Sequence, residues 1–111
     1  MTGYLTTHVL DTALGCPAQG LRIDLIRVEG SVRTHLRTVY TNDDGRTDQQ
    51  ILPATEFSVG TYELVFHAGA YLDGSGALVH CRLAPGGPMF LVLLLATLAL
   101  AGDGAVTCTA D

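Results

Sequence analysis

Apolar and polar residues alternate along the first two-thirds of the chain with the period of strands, not helices. Leu5 to Asp11 is rich in β-formers (Thr6, Thr7, Val9), and Gly15-Cys16-Pro17 and Gly20 then punctuate the chain. Leu21, Ile23 and Leu25 alternate with Arg22 and Asp24, which predicts a half-buried strand closed by Gly30-Ser31. Val32, Thr34, Leu36, Thr38 and Tyr40 then share one face, with Arg33, His35 and Arg37 opposite, so a third strand with a solvated side is expected. Asn42-Asp43-Asp44-Gly45 is turn chemistry, because Gly takes φ > 0 without a Cβ clash. Ile51-Leu52 ends at Pro53. Gly60 opens a run with Tyr62, Leu64 and Phe66 on one face and Thr61, Glu63 and Val65 on the other. Strands at this spacing, with almost no helical periodicity and no internal repeat, predict an all-β antiparallel sandwich forming a single domain over residues 1–111.

Beyond residue 72 the pattern changes. Asp73-Gly74-Ser75-Gly76 and Pro85-Gly86-Gly87-Pro88 read as loops. Met89 to Ala101 is apolar except for Thr97. It is too short for a helix across a ~30 Å hydrocarbon core, which needs about 20 residues. A fully buried strand fits it best; a buried helix or a membrane-associating tail are the alternatives. Residues 102–111 carry no strong pattern.

The chain has 48% apolar and only 15% charged residues, enough apolar material for a core and against disorder. All six basic residues are Arg, against eleven acids, for a net charge of −5. That disfavours a nucleic-acid partner, which asks for a basic stripe, and a polybasic membrane surface. The N-terminus shows no basic and apolar leader pattern. Cys16, Cys81 and Cys108 form no CxxC pair and no metal-ligand spacing. Reduced thiols in a cytoplasmic setting are therefore expected.

Two residues stand out chemically. His8, in a strand flanked by threonines, is either a half-exposed strand residue or an imidazole able to take a proton from water, since its ordinary pKa of ~6.5 leaves it basic at pH 7. Arg46 follows a tight turn; it is either a solvated turn residue paired with Asp43 or Asp44, or a guanidinium aimed at a polar ligand. Asp11 reads as a strand-end hydrogen-bonding residue. His35, His67 and His80 read as structural or surface residues.

Three segments together carry a resemblance. Leu5-Thr6-Thr7-His8-Val9-Leu10-Asp11, followed by Pro17-Ala18-Gln19-Gly20-Leu21, resembles the N-terminal signature of the transthyretin-like 5-hydroxyisourate hydrolases. Thr41-Asn42-Asp43-Asp44-Gly45-Arg46-Thr47-Asp48 resembles that family's second block. Gly60-Thr61-Tyr62-Glu63-Leu64-Val65-Phe66 and Gly69-Ala70-Tyr71 resemble the strand and helix start after it. The match covers about residues 4–72. It implies a Greek-key β-sandwich with one short helix after the Tyr62–Phe66 strand, assembled as a homotetramer. It also implies hydrolysis of 5-hydroxyisourate in urate breakdown, without a cofactor, with His8 and Arg46 as both catalytic and substrate-binding residues. His8 would act on the water and Arg46 would bind and polarise the substrate.

The family's C-terminal His-x-His-Val-Pro and Tyr-Arg-Gly-Ser blocks are not present, so residues 73–111 diverge from it. A change of reading frame near residue 72 is one account of the break. Two other functions follow from the same departure: a degenerate transthyretin-like protein that holds a small ligand without chemistry, and a poorly folded product with an apolar tail.

Overall fold

The computed structural model describes the backbone of residues 4–53, 55–58, 60–94 and 101–110, and side chains within these as far as residue 84. Among the described residues, seven strands and one short helix follow in order: β1 Tyr4–Asp11, β2 Cys16–Pro17, β3 Arg22–Glu29, β4 Val32–Tyr40, β5 Thr61–Phe66, α1 Ala68–Leu72, β6 Val79–Leu94 and β7 Ala101–Ala110. The all-β sandwich and, among the described residues, one short helix after Phe66 agree with the sequence reading; the antiparallel pairing it expected does not hold throughout, because β1 and β6 run parallel.

The hydrogen-bonded order is β2-β1-β6-β5-β3-β4, with β7 beside β6. One long strand serves both layers. Val79–Leu83 of β6 pairs antiparallel with β5, whereas Pro88–Leu94 pairs parallel with β1. The Pro85-Gly86-Gly87-Pro88 stretch, expected as a loop, therefore lies within β6. The register against β7 shifts between Pro85 and Met89, where proline removes ladder donors and irregular pairing is the usual outcome. Met89–Leu94 is strand, as favoured for the apolar run; its residues 95–100 lie outside the described ones. Ala101, the end of the apolar run, and residues 102–110, which showed no strong pattern, form β7.

Alternation along β1 sets its two faces. Leu5, Thr7, Val9 and Asp11 are buried, and Tyr4, Thr6, His8 and Leu10 are half-buried. Leu5 and Val9 meet Ile23, Leu25, Leu64 and Phe66 in the core between the layers. Burying a side chain of this size contributes roughly 1.5–3 kcal/mol. Leu52 is drawn into the same core by a two-way backbone bond with Leu5, at 2.8 and 3.2 Å.

The faces of β4 correct the sequence reading. Leu25 pairs with Arg37 but Ile26 pairs with His35, so Leu36 is an extra, unpaired residue. That bulge inverts the alternation beyond it. Consequently His35 and Thr38, assigned to opposite faces, lie side by side, with His35 Nε2 and Thr38 Oγ1 at 2.9 Å.

Cysteine is the other correction. Cys81 is fully buried and disulfide-bonded, where reduced thiols were expected, and its backbone faces Cys108 across the β6–β7 register. The cysteines thus lend no support to a reducing compartment. No helix of the described residues is long and apolar enough to cross a membrane.

Candidate active site

The turn before Arg46 is built on Asn42. Its side-chain Oδ1 accepts the N–H of Asp44 at 2.9 Å and of Arg46 at 3.2 Å. Its own backbone N–H donates to the Arg46 carbonyl at 2.6 Å, and the Gly45 N–H returns a bond to the Asn42 carbonyl at 3.0 Å. An amide side chain capping the following backbone in this way is the usual chemistry of Asn in turns. Its Nδ2 meanwhile donates to Asp48 Oδ1 at 3.1 Å.

Gly45 brings this turn against β1. Its φ is +76°, and a methyl there would run into the Val9 carbonyl oxygen and crowd Pro17. Without a Cβ, the Gly45 carbonyl accepts the Val9 N–H at 2.8 Å. His8 and Arg46 consequently face each other as an isolated antiparallel bridge. The Val9–Gly45 bond flanks them, which makes them a non-hydrogen-bonded pair. In such pairs the Cα atoms come to about 4.5 Å and both side chains leave from the same face. The two residues singled out in the sequence, far apart along the chain, are thus neighbours in the fold.

A cavity of about 370 Å³ lies beside them, lined by Tyr4, Thr6, Thr7 and the segment from Arg46 to Gln50. His8 is not among the lining residues. It stands across the bridge from Arg46, on the face of β1 that carries Tyr4 and Thr6, both of which line it. Thr47 to Gln50 also forms one wall of a second cavity, of about 390 Å³, closed by Arg37 to Tyr40 of β4. Periodicity could not identify these walls, because they are set by which face of the 46–50 segment folds over β1. Asn42 and Asp48 both lie in the second sequence block, Asn42 read there only as a turn residue and Asp48 given no role.

The other polar residues serve the scaffold. Asp11, at the end of β1, accepts the N–H groups of Ala13 and Leu14 at 3.1 and 3.0 Å and the Tyr71 hydroxyl at 3.0 Å, the hydrogen-bonding role its position suggested. Burial, then the bond to Asp11 and its charge, push the Tyr71 phenol up. On the outer face of β3, burial of Asp24 works against its charge. Hydrogen bonds from Thr38 (2.6 Å), His67 (2.8 Å), His35 (3.4 Å) and Arg22 (3.3 Å) outweigh it and hold the carboxyl well below the ordinary carboxylate range. Glu63, buried on β5, pairs with Arg33 and lies 3.6 Å from His80. His35, His67 and His80 are thereby structural partners of carboxylates, as read. Among the described residues no group of three or more His, Cys, Asp or Glu is arranged to hold a metal ion.

The model of the HIUase/Transthyretin family matches residues 5–86, fourteen positions further than the sequence motifs reach. 5-Hydroxyisourate hydrolase 2 of Rhizobium meliloti is 60% identical over 75 residues, covering 68% of this chain and 62% of the relative. The 5-hydroxyisourate hydrolase of Mesorhizobium japonicum is 64% identical over 74 residues, covering 67% and 60%. The chain thus matches about three-fifths of the length of these curated relatives. The solved structure of Klebsiella pneumoniae 5-hydroxyisourate hydrolase superposes with a TM-score of 0.69 over 98% of this chain and 99% of that one, at 24% identity, a likeness of fold.

Proposed function

The chain belongs to the HIUase/Transthyretin family, and from that premise we propose that it hydrolyses 5-hydroxyisourate, opening a C–N bond of the cyclic amide with water. The observation that carries the reading is the His8–Arg46 bridge beside a cavity of ligand size. In the proposed step the His8 imidazole takes a proton from the attacking water as its oxygen bonds to the ring carbonyl carbon. The Arg46 guanidinium donates to the oxygen on which negative charge develops. The C–N bond then breaks, and the imidazolium returns its proton to the leaving nitrogen. No cofactor enters the scheme. Proton transfer of this kind contributes on the order of 10²–10⁴ in rate.

The absence of the family's two C-terminal blocks favours a second reading, a protein that binds the same kind of ligand without turning it over. One assay separates the two. Urate oxidase generates 5-hydroxyisourate in situ, and its decay is followed by ultraviolet absorbance with and without the purified chain. Acceleration that disappears in His8→Ala and Arg46→Ala supports the hydrolase. No acceleration, with a urate analogue still bound, supports the binding protein. Assembly as a homotetramer and a cytoplasmic setting belong to the same proposal. Recovery in a membrane or extracellular fraction contradicts the latter.

A further inference from the structure

We propose that Asp48 is a further substrate-contacting residue of the Arg46 cavity, accepting a ring N–H of a cyclic ureide, and that Asn42 is the positioning residue that holds it there. The ligand class rests on the hydrolase reading above; the placement of the groups does not. A cyclic ureide presents C=O and N–H groups in alternation along one edge. A guanidinium offers only donors, so Arg46 alone complements the carbonyls and leaves the N–H groups without an acceptor. A ligand donor buried without a partner loses affinity, which makes an acceptor on the same wall the expected complement.

Asp48 lines the cavity two residues from Arg46. Gln49 and Gln50 line it too, but a carboxylate makes the stronger, charge-assisted bond. Only one of its two oxygens is engaged by Asn42 Nδ2, at 3.1 Å, and a carboxylate has acceptor sites to spare on both. The same Asn42 fixes the backbone of Arg46 through Oδ1 at 3.2 Å and through its own N–H at 2.6 Å. Asn42 therefore holds both the backbone that carries Arg46 and the Asp48 carboxylate. Prior fixing of both lowers the ordering cost of binding.

Calorimetric binding of xanthine and of 1,3-dimethylxanthine tests this on the intact chain. The first has the ureide N–H groups and the second carries methyls in their place; neither offers this reaction a product. Wild-type protein is expected to prefer xanthine by on the order of tenfold, as for a hydrogen bond to a charged group. Asp48→Asn should shrink that preference to within about twofold, and Asn42→Ser should reduce it by a smaller factor. Should Asp48→Asn fail to fold, Asp48→Glu, which displaces the carboxylate by one methylene, is read the same way. An unchanged preference in the Asp48 variant overturns the proposal, as does wild-type protein that binds neither ligand. Turnover measured on the same preparations keeps the two readings apart. An inert wild type with an intact, Asp48-dependent preference overturns the hydrolase reading and supports this one.

Discussion

At the scale of single residues, the site depends on a hydrogen atom where any other residue has a side chain. Gly45 combines a left-handed φ with a backbone pressed against the Val9 carbonyl, so either property alone would resist substitution. Gly45→Ala is expected to lower stability by more than ~1 kcal/mol, read as a lower urea midpoint with an unchanged slope. It should also separate Arg46 from His8. An unaltered midpoint would mean the turn can leave β1 at no cost. Much of this was legible in the sequence, because turn chemistry is local: Asp-Gly after Asn42 announces a tight turn, and Arg46 must follow it. His8 was legible as a strand residue of the right type. That the two face each other was not, since a bridge between β1 and a loop is a tertiary fact that no short-range pattern encodes.

At the scale of elements, β3, β4 and the start of α1 are joined through one carboxylate. Asp24 reaches Thr38 and His35 on β4 and His67 just before α1. Its folded pKa lies below the ordinary value of ~3.9, so its contribution to stability is present above that pH and is lost as pH falls from there toward the lower folded value. Asp24→Asn should therefore be less stable than wild type at pH 7, by on the order of 1–3 kcal/mol, and the difference should narrow below about pH 4. Chemical unfolding of both proteins across that range measures it; a gap that is constant with pH would show that the charge contributes nothing. This cluster was hidden from the sequence by one residue. The bulge at Leu36 moves His35 onto the face of Thr38, and a bulge is a property of two paired strands, so the alternation within β4 could not show it. The same limit explains β6, whose Pro-Gly-Gly-Pro stretch looks like a loop until its neighbours supply the pairing.

At the scale of the whole molecule, the fold is that of the HIUase/Transthyretin family. In this chain β7 runs antiparallel along β6, covering an edge that would otherwise offer free backbone groups for pairing. The proposed homotetramer is checked by sedimentation of the purified protein: a four-chain species supports it, and a monomer at micromolar concentration contradicts it. The central claim is that His8 and Arg46 act together on one bound substrate. Turnover of 5-hydroxyisourate by wild type, His8→Ala, Arg46→Ala and the double variant tests it most directly. Groups acting as a unit are strongly non-additive, so each single change is expected to cost about 10² or more in kcat/KM and the double little beyond the worse single. A single variant that keeps the wild-type value would contradict the account.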